Sequence, residues 1–417
     1  MKSLGYSAKH GSMIAAVKEQ NNQGRTAWSA SIFWIFTSIF IGLILFYTGS
    51  VYAKDISMSH TVTCDYRPEC AIYSVTIDDN GHVTFEGAGG VIVRGKHSYR
   101  VAPDQIAPLL QSLEAVNFWN LPDKYTGPAV DIRGDTIKVI KDGNEKSITD
   151  FFGEAAGLPK VIHIVEAKLD DMAKIDDWLF PSVDTLLKLD DENYDYSTIA
   201  GAEMALEATL EPKVSDDFIT GLLTRGVPLE GGSIMTWRFL KNFDLIDAAA
   251  LAGRTKITKV ILRDHPFGED ETSQAKLARA FAYGIRSGKA EMVRAFLDYN
   301  PPMTFIKPTG FSDEMELDKT GALCEIIDSP DALLIAKLLI DAGADVNFRD
   351  SQMRTPVLMA ANEDVAIFLL ENGANARAGD YEDNGLEERA SQYNWLRVSA
   401  WLNHHDRTQV ITPKTVR

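Results

Sequence analysis

The feature that most constrains this chain is a long uncharged segment near its start. No charged side chain occurs from Thr26 to Ala53, and most of the segment is apolar, as in Ile39–Tyr47. A helix of about 20 such residues crosses the hydrocarbon core of a bilayer. A helix also pairs its own backbone polar groups, which no water can satisfy there. Segment 26–53 is therefore predicted to be a transmembrane helix that anchors the chain in a lipid bilayer.

The charges before this segment predict its orientation. Four basic residues precede it against one acidic residue, Glu19: Lys2, Lys9, Lys18 and Arg25. Because cytoplasmic flanks carry the excess of Lys and Arg, residues 1–25 are expected to be a cytoplasmic leader and the body to be exported. This topology predicts a single-pass inner (plasma) membrane protein with a periplasmic body. Val51-Tyr52-Ala53 is also a small-x-small cleavage pattern, so secretion to the periplasm after cleavage at Ala53 is the alternative.

Composition excludes some classes of protein. The chain has 417 residues, enough for two to four domains at about 100–200 residues each. Its 59 acidic and 42 basic residues give a net charge of −17, whereas a protein that binds nucleic acid needs a cationic surface. Its 3 cysteines are too few for a disulfide scaffold or a four-cysteine zinc site. We therefore expect neither a nucleic-acid partner nor a bound metal.

Residues 56–180 are predicted to form an antiparallel α+β domain. Ala71–Ile77 alternates apolar and polar side chains, the period-two pattern of a half-buried strand. Asn80-Gly81 suits a tight hairpin turn, and His82–Glu86 would return as the partner strand. The remaining elements expected here are a hairpin of Val91–Val93 with Ser98–Val101, a hairpin of Thr136–Ile140 with Lys146–Thr149, and helices over Pro103–Ala115 and Leu158–Met172. Both helices would cover one face of the sheet.

Two close cysteines precede this first strand. Cys64 and Cys70 bracket five residues, and in an exported protein such a pair is predicted to form a disulfide. A redox-active pair or a pair of metal ligands is the alternative. The usual redox motif is Cys-x-x-Cys ahead of a helix, however, whereas this pair is more widely spaced and precedes a strand.

This region resembles an uncharacterised bacterial extracytoplasmic domain family. The resemblance covers about 120 residues and is carried by Cys64, Cys70, Tyr73–Ile77, Asn80-Gly81 and Phe85-Glu86-Gly87. The chain departs from the family in one place, because Ala71 stands where proline is usual and Pro68 lies inside the cysteine loop. The resemblance implies no known activity.

After a predicted acidic linker at 181–199, the pattern changes to short helix pairs. Five second helices are followed by residues that tolerate a left-handed backbone, as helix ends often require: Gly226, His265, Asn300, Gly343 and Gly373. Their spacings of 30 to 43 residues match a helix-turn-helix solenoid, in which stacked pairs share a continuous core. A sixth pair at 386–403 would cap the array. Residues 200–403 are therefore predicted to be an all-α solenoid, followed by a tail at 404–417.

The later units resemble the ankyrin repeat. Leu338–Asn347 is similar to that family's passage from second helix to hairpin, and Leu369–Asn375 repeats it. Arg354–Ala361 is similar to the family's Thr-Pro-Leu-His-x-Ala-Ala opening, with Leu358 where His is usual. The resemblance implies binding of another protein through hairpin tips and the concave helix face. The expected partner-binding tip residues are Asp345, Asn347, Arg349, Asp350, Arg354, Asn375 and Arg377.

No motif predicts catalysis, a cofactor or a metal. Gly87–Gly90 is glycine-rich, but a strand-like segment follows it where a dinucleotide site needs a helix, so a turn or bulge is expected. The sequence contains no phosphate-binding loop, His-Glu-x-x-His or Gly-x-Ser-x-Gly. Cys324 is expected to be a small buried side chain. The chain is therefore predicted not to be an enzyme and to use no small-molecule substrate.

The leading hypothesis is a membrane-tethered, exported module that binds an envelope protein through ankyrin-like repeats. An alternative is an inhibitor or immunity-type protein that masks an enzyme or a toxin with the same surface. A second alternative is a hydrolase within the α+β domain, which a pocket with converging titratable side chains would favour.

Overall fold

The computed structural model describes residues 56–64, 70–102, 106–127, 133–231, 243–308 and 317–409. All of them belong to one compact unit. Within these ranges no helix is long and apolar enough to cross a membrane. The predicted leader at 1–25 and transmembrane segment at 26–53 lie outside the described residues, as does the end of the predicted tail.

The first part of the structure is a sheet of seven strands: β1 (Ile56–Cys64), β2 (Ile72–Asp78), β3 (His82–Gly89), β4 (Gly95–Arg100), β5 (Lys124–Thr126), β6 (Arg133–Lys141) and β7 (Asn144–Phe151). Their order across the sheet is β4-β3-β2-β1-β6-β7-β5. Every neighbouring pair is antiparallel except β5 and β7, which are parallel. The antiparallel-dominated sheet, followed by helices, confirms the expected α+β class. Neither β1, which lies at the centre of the sheet, nor the short β5 was predicted from the sequence.

Two predicted hairpins are confirmed, and both depend on local turn chemistry. Strands β2 and β3 join at Asp79-Asn80, and Gly81 has a φ of 72°. Strands β6 and β7 join through Asp142 (φ 49°) and Gly143 (φ 79°). Asn, Asp and Gly adopt this left-handed backbone more readily than other residues, which makes such turns recognisable.

The hairpin predicted for Val91–Val93 is wrong. Strand β4 pairs with β3, and residues 91–93 form a buried connection outside the sheet. Gly90 explains the departure: its φ is 60°, and a Cβ there would meet the Cys70 carbonyl oxygen at 2.2 Å. The expected bulge is present just before it, because Ala88 is extra between the pairs Tyr73–Gly87 and Ile72–Gly89.

Two helices pack together on the sheet domain, as expected: α1 (Ile106–Glu114) and α2 (Val161–Ala173). The apolar stripe of α2, with Ile162, Val165 and Leu169 fully buried, contacts β1 and β2. The short α3 (Asp176–Leu179) follows directly. This packing brings the polar side chains of α2 against the centre of the sheet.

The segment predicted as an acidic linker, 181–199, contains a helix, α4 (Val183–Asp191). Ser182 and Thr185 form a capping box at its start, which satisfies backbone N–H groups of the first turn. Helix α4 packs against the first helix pair, and Arg225 of that pair forms an ion pair with Asp190 at 2.5 Å.

Stacked helix pairs make up the rest of the described chain: α5 (Ile199–Leu210) with α6 (Asp216–Thr224), α7 (Leu245–Leu251) with α8 (Thr255–Asp264), α9 (Glu271–Arg286) with α10 (Ala290–Leu297), a 3-10 turn (Ala322–Glu325) with α11 (Ala332–Asp341), a turn at 356–359 before α12 (Glu363–Glu371), and α13 (Leu386–Gln392) with α14 (Leu396–Gln409). A hairpin of β8 (Thr304–Pro308) and β9 (Leu317–Gly321) extends one connection. First helices contact first helices, and second helices contact second helices. Within one pair, the fully buried rings of Phe281 and Phe296 pack with their centroids 5.7 Å apart.

Most of the predicted left-handed helix ends are confirmed: Gly226, Asn300, Gly343 and Gly373 have φ values of 80°, 48°, 90° and 92°. His265 is the exception, with a φ of −133°. Pro266 follows it, and the proline ring restricts the preceding residue to extended backbone. The helix before His265 therefore ends without a left-handed residue.

Candidate functional site

The cysteine pair lies where the sheet meets the loop before β2. Cys64 ends β1, Cys70 precedes β2, and the two form a disulfide with their Cα atoms 6.1 Å apart. The predicted pairing is therefore confirmed. Cys324 is buried in its 3-10 turn, as expected, and burial raises the pKa of its thiol to about 12.

Thiol labelling of the unreduced full-length protein is expected to modify Cys324 alone, and only after denaturation, because the other two sulfurs are bonded to each other. Replacing both Cys64 and Cys70 with Ser should lower the free energy of unfolding by about 2 kcal/mol, since the unfolded loop regains entropy. Mass spectrometry of maleimide-modified peptides measures the labelling. The control is Cys324→Ser, which should take up no label when unfolded without reductant. Rapid labelling of native Cys64 and Cys70 would contradict the disulfide.

A buried histidine connects the sheet to α2. His60 projects from β1; its Nδ1 lies 2.8 Å from Asp170 Oδ1 on α2, and its Nε2 lies 3.0 Å from Asp135 Oδ1 on β6. Tyr73 donates a hydrogen bond to the other Asp170 oxygen at 2.6 Å, and Arg133 donates to Asp135 at 2.7 Å. We call these five side chains the His60 network. It joins three strands, β1, β2 and β6, to helix α2.

The His60 network keeps its central ring protonated. Burial alone would lower the pKa of His60, but its hydrogen bonds to Asp135 and Asp170 outweigh burial and raise the pKa to about 9. Burial pushes the pKa of Asp135 upward, yet hydrogen bonds from His60 and Arg133 bring it below its usual value. Burial and the charge of Asp170 raise the pKa of Tyr73. Near neutral pH, the positive charges of the network therefore lie directly beside its carboxylates and offset them.

A second histidine lies beside this network. His163 on α2 approaches Asp150 at 3.2 Å through Nε2 and Glu166 at 3.0 Å through Nδ1. Glu166 is buried and its Oε1 has no hydrogen-bond partner; burial raises its pKa, and the positive charge of His60 opposes that rise. An open depression of about 620 Å³ adjoins Asp150 and His163. Both ring nitrogens of His163 lie within hydrogen-bond distance of carboxylate oxygens, so both are engaged inside the cluster.

Neither histidine cluster is arranged as a metal site. Among the residues that the structure describes, no group of three or more His, Cys, Asp or Glu side chains could hold a metal ion. The two clusters instead resemble an ion-pair network that holds α2 on the sheet. Sequence reasoning missed them because their members are separated by up to 110 residues.

The predicted tip residues lie on two equivalent loops between helix pairs. Asp350 Oδ1 accepts backbone N–H groups of Gln352 and Arg354, and Asp380 Oδ1 accepts those of Glu382 and Asn384 in the same pattern. The equivalent third residues after each Asp have φ values of 61° and 60°. The loops repeat at an offset of 30 residues, so their geometry is set by the same side-chain type at the same position.

An asparagine connects the two loops. Asn347 Nδ2 donates to the Gly373 carbonyl at 2.9 Å, and Asn347 Oδ1 accepts the Asn375 N–H at 2.7 Å. The Tyr381 N–H also donates to the Gln352 carbonyl at 3.3 Å. These bonds hold neighbouring tips in a fixed relative position. We call the exposed side chains of loops 345–354 and 375–384 the tip surface.

The structure brings most of the predicted tip residues to this surface. The exposed members are Asp345, Asn347, Arg349, Asn375 and Arg377. Asp350, by contrast, is 5% exposed, and Arg354 is half-buried and donates to its carboxylate at 2.7 Å. Asp350 and Arg354 therefore bond within their own loop, and the partner-binding role of all seven tip residues stays a prediction.

Sequence reasoning missed the apolar part of the tip surface. Tyr381 is 74% exposed, and Met353 on the neighbouring loop is 38% exposed. Their chain neighbours Arg354 and Asp380 line a groove of about 370 Å³ together with Arg389. Large apolar side chains at tips that are otherwise polar were a usable signal in the sequence, since exposed aromatic residues often anchor interfaces.

The sheet domain contacts the helices that follow it near α4 and α5. Arg94, after the bulge, forms ion pairs with Glu203 at 2.8 Å and with Glu207 on α5. His97 on β4 pairs with Glu192 at 2.6 Å and stacks on Trp178 with ring centroids 4.4 Å apart. The helix pairs are therefore attached to the sheet domain by charged and aromatic contacts.

Comparison with known proteins identifies part of the chain. Residues 56–173 match the family described as domain of unknown function DUF6438. This agrees with the uncharacterised domain expected at about 56–180. No ankyrin-repeat family matches residues 200–403, so the ankyrin resemblance stays a prediction. The comparison with curated proteins gives no match.

Proposed function

We propose that this chain is a membrane-tethered, exported protein-interaction module that binds an envelope protein through ankyrin-like repeats. The observation that carries the proposal is the tip surface. Its two loops repeat each other, are joined by Asn347 and present Tyr381 and Met353 outward. A rigid surface with exposed apolar anchors loses little entropy on binding.

The ankyrin-like part of the proposal is supported by the stacked helix pairs and by the 30-residue offset of the last two loops. The period of the ankyrin repeat is close to this offset. The inter-helix turns at Gly253 and Gly288 have φ values of 67° and 68°, and Asn394 has 56° at the matching turn of the last pair. The same local geometry therefore recurs from the early units to the last.

The exported and tethered part of the proposal is supported by two observations. The Cys64–Cys70 disulfide suits an oxidising compartment outside the cytoplasm. The uncharged segment 26–53, with its basic leader, suits a membrane anchor of this orientation. Both observations point to the same compartment from independent parts of the chain.

The test is capture of the partner from envelopes by the full-length protein in mild detergent, with variants of the tip surface. The double substitution Tyr381→Ala and Met353→Ala should reduce the captured partner at least about tenfold, because interface anchors each contribute roughly 1–2 kcal/mol or more. Both side chains are exposed, so folding should be preserved.

The matched control is Ile164→Ala with Leu187→Ala, which removes two exposed apolar side chains outside the helix-pair loops. This control should retain the partner. Loss in the control together with retention in the tip variant would place the interface elsewhere and refute the proposal. A stoichiometric complex with an enzyme whose activity it blocks would select the inhibitor alternative.

A further inference from the structure

We propose that a cationic groove on the helix pairs binds an acidic peptide segment of a partner protein. The groove lies between the end of α5, the start of α8 and the turn before α10, and has a volume of about 940 Å³. It contains none of the tip-surface residues, so the inference goes beyond the proposed function. The acidic Asp216 and Glu291 are in its lining, and Asp217 and Asp264 pair with two of its cations. Five cationic side chains line it: Arg254, Lys256, Lys259, Arg263 and Lys289.

The five cations outnumber these four carboxylates, so the groove has an excess of positive charge, whereas the whole chain has a net charge of −17. Lys256, Lys259 and Arg263 lie three and four residues apart on α8, a spacing that puts them on one face of the helix. A local cationic groove on an acidic protein favours an anionic ligand and raises its rate of association.

The base of the groove is built by two further cations that already have partners. Arg254 donates to the Thr209 carbonyl at 2.6 Å and to Asp216 at 2.9 Å, which ties α8 to the end of α5. Lys289 donates to the Gly253 carbonyl at 2.8 Å. The groove therefore has a preformed shape.

The three cations of α8 are available to a ligand. Lys256 pairs with Asp217, and Lys259 pairs with Glu291, at 2.9 Å and 2.8 Å, and the side chains of both pairs are more than half exposed. Arg263 pairs with the adjacent Asp264 and is also exposed. Exposed pairs of this kind contribute little, so carboxylates of a bound peptide can replace the present partners.

The apolar lining selects a peptide over a simple anion or a lipid surface. Leu210, Pro212 and Val260 lie among the cations. A free phosphate has no apolar groups to place against them, and a flat bilayer surface does not enter a concave groove. A segment that alternates Asp or Glu with apolar residues satisfies both parts of the lining.

Fluorescence anisotropy of the full-length protein in detergent, with a labelled peptide of repeating Glu-Glu-Leu, tests the inference. The triple substitution Lys256→Glu, Lys259→Glu and Arg263→Glu should weaken binding at least about tenfold, and added salt should weaken wild-type binding through screening. The matched control, Lys96→Glu, Arg100→Glu and Lys124→Glu, changes net charge equally on the sheet domain and should stay within about twofold of wild type. If the triple variant fails to fold, the peptide affinity of the single variant Lys259→Gln is compared with that of wild type instead.

The inference would be overturned by equal weakening in both triple variants, by equal binding of a Gln-Gln-Leu peptide, or by displacement of the peptide by inorganic phosphate at constant ionic strength. Binding of anionic vesicles that depends on the same lysines, without competition from the peptide, would assign the groove to a membrane and would also overturn it. Tyr381→Ala with Met353→Ala should leave peptide binding unchanged, which separates this inference from the proposed function.

Discussion

Replacing His60 with Leu is expected to lower the free energy of unfolding by about 3–5 kcal/mol, because it removes the cation between two buried carboxylates. Asp135 and Asp170 are each about four-fifths buried, and each contacts a His60 nitrogen. Their remaining partners, Arg133 and Tyr73, do not replace the lost charge between them. The measurement is the urea midpoint of the full-length protein, followed by circular dichroism with the slope compared between variants.

The stabilisation by His60 should depend on pH with a defined sign. The folded pKa of about 9 lies above the ordinary value of 6.5, so the folded protein holds the proton more tightly. The contribution is fully present below pH 6.5 and is lost as the pH rises toward 9. Over that window wild type should lose on the order of 3 kcal/mol that the Leu variant does not lose.

Because the pKa of Asp135 is lowered, the stability that the His60 network contributes should also be lost at acidic pH. Stability contributed by its carboxylate is present above the ordinary pKa of 3.8 and is lost as the pH falls through the lower folded value.

The matched control for His60→Leu is His82→Leu, since His82 is exposed on β3 of the same sheet. Equal stability of the two Leu variants, or an unchanged pH profile after His60→Leu, would show that the network does not stabilise the fold.

Replacing Trp178 with Ala is expected to cost about 3–5 kcal/mol, because it removes a fully buried indole from the contact between sheet and helices. Its ring stacks against Phe85 and His97, with centroids 5.5 Å and 4.4 Å away, and its Nε1 donates to the Tyr99 hydroxyl at 3.2 Å. The Lys188 ammonium on α4 lies 5.5 Å from the ring centroid. The cavity should therefore loosen α4 as well as the sheet edge.

Hydrogen exchange measures this loosening. Amides of β4 and of residues 183–191 should exchange faster in the Trp178→Ala variant, because α4 loses part of its support. Trp119→Ala is the matched control, since Trp119 is only partly buried and packs beside Phe118. If the control is as destabilised as the Trp178 variant, or if α4 keeps its protection, Trp178 does not couple the two parts.

The sequence predicted the parts of the fold that short-range constraints decide. The turns at Asn80-Gly81 and Asp142-Gly143 and most of the predicted helix ends were recognisable because few residues adopt a left-handed backbone. The left-handed backbone predicted at His265 was wrong, because Pro266 restricts the residue before it to extended backbone. Cys64 and Cys70 were predicted to pair because they are close in a part of the chain that is expected to be exported.

By itself, the sequence determined the antiparallel α+β class, the close disulfide and the recurrence of helix pairs, since each depends on periodicity or on neighbours within a few residues. Only the tertiary structure decided that β1 is central, that Val91–Val93 leaves the sheet, and that His60 meets Asp135 and Asp170. It also decided which tip residues are exposed and placed Arg254 and Lys289 on one groove. The physical reason is that a polar or aromatic side chain can serve many partners, and only the packing of distant segments selects one.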